Sequence, residues 1–323
     1  MLSFFKSQQP PVVFAFIILF FLIKIPFFAQ DIVPVESVPN LWFSTGMIVA
    51  KPQWLNILIA QLCLLIQSIW INYLFHKADY HDGSSMVPAL YFTLLSAVLP
   101  QFNVFSVYTL IVFLILMLFQ VFLSITIKDS TRLECFNAGI LGGLLCVLNL
   151  NFVVFLPFMF LILYALKPFR FNEYLMLLFG MLLPFYFALS YSYLADVFIN
   201  IGAFSFLIFY KNPFPDTIID KIVIIFSAAY LLFSFISLRG IMYSTGFKRR
   251  KNINMLVFSF IGLTITVFFY GNSDSAVYSF LLFPISIFMT LFMLRIRKKR
   301  LGEILNVIFV LVIFVTNIVR IFK

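Results

Sequence analysis

A chain of 323 residues that is 63% apolar and 20% aromatic, with 46 Phe, but only 11% charged, carries less than half the charge of a water-soluble domain, in which about a quarter of residues are charged. That composition excludes a hydrated globular surface. Repeated apolar runs of about 17–25 residues, enough to cross a hydrocarbon core of about 30 Å, make it an all-α polytopic integral membrane protein, and the same runs exclude a β-barrel, whose strands alternate apolar and polar residues. The net charge of +10 is spread over helix ends, as topology determinants are, which argues against a nucleic-acid partner.

The first apolar segment covers about residues 11–28, with Lys6 before it and Lys24 and Pro26 near its far end. It is too long for a signal h-region and no small-residue cleavage site follows, so it is expected to be retained. The interval 28–54 then carries Asp31 and Glu36, spaced by Pro34 and closed by Pro39. Segment two spans about 54–75 and ends in the polar turn HKADYHDGSS. Segment three, 86–99, is short and holds Pro88, with Pro100 just past its end; segment four runs from 105 to 127. Residues 135–166 would reach about 48 Å as one helix, too far for one crossing. The Asn149, Leu150, Asn151 triplet inside them predicts a hairpin of two short helices.

Segment seven covers about 174–194, with Pro184 inside. A second long interval, 195–220, includes an apolar stretch at 198–210 that is too short to span and reads as interfacial. Four more segments follow at about 221–238, 255–270, 276–294 and 304–319, with KRRK (Lys248, Arg249, Arg250, Lys251) and RIRKKR between them. With the N-terminus inside, 16 of the 22 Lys and Arg fall on the inner side, and Lys24, Lys51, Lys211, Lys221, Arg320 and Lys323 fall outside. This bias supports about 11 transmembrane segments (10–12), an N-terminus in the cytoplasm and a multi-pass location in a bacterial inner membrane. The whole chain, 1–323, reads as one transmembrane domain.

Both long intervals lie outside in this topology and hold Asp31, Glu36, Asp196, Asp216 and Asp220 of the 12 acidic residues. Long loops on rigid elements are where functional residues gather. The structural alternatives are plain: solvated loop acids, and a Lys24 that snorkels to the outer headgroups. His76 and His81, five apart, do not share a helix face, so a solvated turn explains them better than a metal. Cys63, Cys135 and Cys146 have neither disulfide nor zinc spacing and read as small core residues. Gly139, Gly142 and Gly143 predict a close helix contact. Residues 155–167 and 281–295 echo each other, each with a proline near its outer end and a base at its inner end, as in a duplication or simply as in many membrane hairpins.

This layout resembles the GT-C membrane glycosyltransferases, which use polyprenyl-phosphate sugar donors. The resemblance covers roughly residues 14–238, and the adjacent acid pair often seen in the family is absent. It implies a GT-C-like module over 1–238 and a C-terminal three-helix extension over 239–323. It implies catalytic roles for Asp31, as general base toward an acceptor hydroxyl, and for Glu36, as a second acid or the ligand of a divalent metal. Lys24 would meet the donor phosphate, with Lys51, Lys211 and Asp216 as further substrate-binding residues. The expected partners are membrane lipid and a polyprenyl-phosphate sugar at the extracytoplasmic face, with membrane-protein partners left open. The start SFFKSQQP and the stretch KPFRFNEYLMLLFGMLLPFYF also resemble a Phe-rich polytopic membrane family of Bacteroidota. Some of its members carry a carotene-oxygenase label; such enzymes hold iron with four histidines, and this chain has two. A non-catalytic membrane scaffold or assembly factor, and a transporter of lipid-linked substrates, are the alternatives.

Overall fold

Proline and glycine positions decide where this chain starts, breaks and packs its helices. The structure, a computed structural model, describes residues 4–30, 52–81, 83–127, 131–194, 246–269, 275–296 and 299–321, together with scattered positions between 221 and 234. Its regular elements among these residues are helices, with no strand. Helix α1, Pro10–Lys24, opens with two prolines, which fit the first turn because its N–H groups have no helical acceptor. It continues as a 3-10 turn, Ile25–Ala29. Then come α2, Gln53–Lys77, α3, Val87–Ser96, α4, Val107–Ile127, and α5, Arg132–Leu148. The predicted hairpin break follows: Asn149 is extended and its side chain accepts from the Asn151 N–H, and α6, Leu156–Leu166, leaves with Pro157 in its first turn.

Helix α7, Phe171–Leu194, is followed by helical positions between 221 and 234 that fall in the eighth predicted segment. The chain closes with α8, Phe247–Phe268, α9, Leu282–Arg295, and α10, Lys299–Ile321. Both arms of the sequence echo enter their helix through a 3-10 turn, Leu150–Phe155 before α6 and Ser275–Leu281 before α9. Seven helical stretches among the described residues are long and apolar enough to cross a membrane, and two shorter apolar helices, Val87–Ser96 and Leu150–Leu166, accompany them.

Burial follows from the solvent being lipid. Helix α3 is buried on every side, whereas α1 exposes Phe14, Ile18 and Leu22, and α7 exposes Phe179, Leu182, Tyr186 and Phe187. Apolar side chains at these positions suit a hydrocarbon surround. The core is aromatic: Phe119 of α4 meets Phe283 of α9 edge-on at 4.6 Å, and Phe152 meets Phe280 at 5.0 Å. Such pairs add about 0.5–1.5 kcal/mol beyond their burial.

The expected glycine contact joins α5 to α7. A Cβ on Gly139 would run into the Leu177 carbonyl oxygen and stand 2.9 Å from the Gly180 Cα, and one on Gly143 would stand 2.5 Å from the Met181 carbonyl oxygen. The two backbones therefore touch, as small residues allow in a bilayer.

Contacts at the helix ends sort the basic residues into two groups. After α2, the Tyr80 hydroxyl donates to the Asn252 carbonyl at 2.9 Å, Asn252 Nδ2 donates to the Ala78 carbonyl at 2.8 Å, and Lys248 Nζ reaches Asp79 Oδ2 at 2.8 Å. Burial pushes the Tyr80 phenol well above its usual range, so it stays a neutral donor. The turn after Lys77 and the KRRK cluster thus share one end, as the charge pattern expects. Elsewhere, Asn317 Nδ2 donates to the Ala97 carbonyl, Arg320 donates to the Val98 carbonyl, and Gln30 Nε2 donates to the Asn317 carbonyl. This joins the far end of α1 to the end of α10, again as that pattern expects. The Lys248–Asp79 pair is more than half exposed on both sides, so Lys248→Ala is expected to change stability by less than about 1 kcal/mol in thermal unfolding of the purified protein, whereas Asn252→Ala, which removes a buried partner, is expected to cost about 1–3 kcal/mol.

Candidate functional site

Polar side chains inside an apolar bundle must find partners within the protein, and α2 carries a row of them. Asn56, Gln61, Gln67 and Asn72 are all buried. Asn56 Oδ1 accepts from the Phe105 N–H at 2.8 Å, and Gln67 Nε2 donates to the Thr109 carbonyl at 2.9 Å. These amides pin α2 to the start of α4. Gln61 points toward a different neighbour, Asn103 Oδ1, at 3.4 Å.

Asn103 belongs to the centre of the site. Lys24, the last residue of α1, is fully buried and does not snorkel. Its Nζ donates to Asn103 Oδ1 at 2.6 Å and to Ser96 Oγ at 2.8 Å, and lies 5.9 Å and 5.5 Å from the ring centres of Phe20 and Phe27. Asn103 is held in turn by Nδ2 donating to the Ser96 and Leu99 carbonyls, both at 3.0 Å. The Ser96 hydroxyl donates to the Thr93 carbonyl at 2.9 Å. No carboxylate pairs with Lys24 among the described residues, and Gln61 Oε1 is buried there without a hydrogen-bond partner. The ammonium is thus compensated by two neutral oxygens and two aromatic faces, a set that leaves its charge unbalanced.

The turn that supplies Ser96 and Asn103 to Lys24 also walls an apolar cavity of about 220 Å3. Leu95, Leu99 and Phe102 line it from this side, with Phe260, Leu282 and Ile285 from α8 and α9. A cation-bearing polar cluster beside an apolar cavity is chemically suited to a ligand with an anionic head and a hydrocarbon body.

Of the residues singled out from the sequence, Lys24 stands in this site. Asp31, Glu36, Lys51, Lys211 and Asp216 lie outside the described residues. His76 bonds the Ser85 carbonyl at 2.9 Å, and no group of three or more His, Cys, Asp or Glu suited to a metal occurs among the described residues. The cysteines are free, with Cys135 and Cys146 buried. Sequence reasoning that searched for charges overlooked Gln61, Ser96 and Asn103. A signal for Gln61 was present, since an amide in the middle of an apolar run needs an internal partner.

No family model and no curated protein matches the chain. Among solved structures, the crystal structure of ArnT from Cupriavidus metallidurans bound to undecaprenyl phosphate is similar, with a TM-score of 0.57 at 10% sequence identity. The match covers 92% of this chain and 62% of that one, so the chain spans about three-fifths of its neighbour's length. At this identity the likeness concerns the fold: the chain is a polytopic helical membrane protein of GT-C-like layout, sharing the arrangement of a membrane protein seen with a polyprenyl phosphate.

Proposed function

We propose that this chain acts on polyprenyl-phosphate-linked sugars at the extracytoplasmic face of a bacterial inner membrane, as a glycosyltransferase-like protein. The observation that carries the proposal is its likeness in fold, over 92% of its length, to ArnT bound to undecaprenyl phosphate. Lys24 supports it. A buried ammonium that lacks a counter-anion among the described residues costs several kcal/mol, and a lipid phosphate would supply that missing charge. The cavity beside it would take the first part of the isoprenoid chain. In this scheme Lys24 binds phosphate, Gln61 and Asn103 orient the ammonium, and Asp31, seven residues beyond Lys24 in the sequence, takes the proton of the acceptor hydroxyl. Glu36 would serve as a second acid or hold a divalent metal, with Lys51, Lys211 and Asp216 as further substrate-binding residues.

General-base catalysis contributes about 10²–10⁴-fold. Asp31→Asn is therefore expected to lower transfer of a radiolabelled polyprenyl-phosphate sugar to a membrane acceptor by at least about a hundredfold while leaving the amount of inserted protein unchanged. Full transfer by that variant would remove Asp31 from the mechanism.

A further inference from the structure

A second charged cavity, about 240 Å3 in volume, is lined by Arg132, Arg170, Phe171, Asn172 and Glu173. It lies where α5 and α7 begin, at the end that the charge pattern assigns to the cytoplasm and so opposite Lys24. Both helices start here and are held together by the Gly139 and Gly180 crossing, which brings two positive helix ends to one place. Arg132 is exposed and makes no ion pair among the described residues; the Arg170 side chain is 65% exposed.

Glu173 gives the cavity its chemistry. It is 97% buried, being 3% exposed. Thr131 Oγ1 donates to its Oε1 at 2.7 Å, and Arg170 stands 3.8 Å from the same oxygen. Its Oε2 is buried without a hydrogen-bond partner among the described residues, and an unsatisfied buried oxygen costs more than a bond gains. Two arginines thus line the cavity for an anion, and Glu173, which lines it with them, keeps one buried carboxylate oxygen without a donor among the described residues. Phe171, 64% exposed, adds an apolar surface to the cavity lining. The volume is below the about 300–1,000 Å3 of sites for drug-sized molecules, which suits a headgroup.

We propose that this cavity seats the phosphoethanolamine headgroup of a bilayer phospholipid, with its phosphate between Arg132 and Arg170 and its ammonium donating to Glu173 Oε2. Guanidinium groups favour phosphate through short charge-assisted bonds. An ammonium with N–H groups satisfies the carboxylate, whereas the trimethylammonium of phosphatidylcholine has no hydrogen to donate. The site is independent of the role given to Lys24.

The test is native mass spectrometry of the full chain released from detergent, titrated separately with phosphatidylethanolamine and phosphatidylcholine. Phosphatidylethanolamine is expected to bind at least about tenfold more tightly, a difference of about 1.4 kcal/mol. Arg132→Gln with Arg170→Gln is expected to weaken both lipids. Glu173→Gln, which keeps the acceptor for Thr131, is expected to remove the preference between them. Equal binding of the two lipids by the wild type, or binding unaffected by the arginine changes, would overturn the proposal. So would water-soluble O-phosphoethanolamine binding as tightly as the lipid, since the ligand would then come from the aqueous phase.

Discussion

Replacing Gly139 with leucine is expected to be the most damaging single change among the described helices. Overpacking costs about 1–3 kcal/mol where neighbouring side chains can move, and occasionally more. Here the atoms in the way are backbone: the Leu177 carbonyl oxygen, the Gly180 Cα and the Met181 nitrogen. Accommodating a side chain requires α5 and α7 to separate along their crossing, which also withdraws Gly143 from the Met181 carbonyl and Pro184. The loss is therefore expected at or beyond about 3 kcal/mol, visible as a lower unfolding temperature of the purified protein and less folded material. Gly302→Ala in α10 is the control. A Cβ there meets only ordinary contacts, the nearest at 3.7 Å, and alanine gains about 1 kcal/mol of helix propensity over glycine. Equal behaviour of the two variants would show that the α5–α7 contact does not hold the fold.

The second large effect concerns Lys24 and separates stability from binding. Breaking a buried ion pair by removing one partner costs about 3–5 kcal/mol, whereas replacing the whole pair with apolar groups of similar volume is often neutral or stabilising by about 1–4 kcal/mol, and a buried ammonium held by neutral oxygens follows the same asymmetry. Asn103→Leu, which deletes the 2.6 Å acceptor of Lys24, is therefore expected to destabilise strongly. Lys24→Met is expected to leave thermal stability equal or higher while abolishing retention of polyprenyl phosphate. A double variant, Lys24→Met with Asn103→Leu, is expected to recover much of the stability lost by Asn103→Leu alone, because its buried cation has gone. Additive losses in the double variant would show that the two residues are not coupled.

The helical segments were legible because the bilayer imposes a length and an apolar composition on each of them. The hairpin at Asn149 was legible for the same reason: 32 residues in one run exceed one crossing, and the break falls where Asn149 caps the turn. Gly139 marked a contact, but not its partner, since Gly180 stands 41 positions later with no small neighbours to draw attention to it. Lys24 was singled out for the donor phosphate, with snorkelling as the plain alternative, but its protein partners were not legible because neither stands near it in sequence. Its actual partners lie 72 and 79 positions away, and their approach depends on α3 sitting buried on all sides. The polar row on α2 was missed because amides carry no charge, although in lipid their hydrogen bonds constrain packing nearly as firmly.

Lys24 as the seat of a lipid phosphate is tested most directly by a cryo-EM map of the full chain in nanodiscs containing undecaprenyl phosphate. Phosphate density within hydrogen-bond distance of Lys24 Nζ is expected, with the isoprenoid chain running into the cavity beside Leu99 and Phe102. A map in which Lys24 stays closed on Ser96 and Asn103 while the lipid phosphate sits elsewhere, or in which no such lipid is retained, would contradict it.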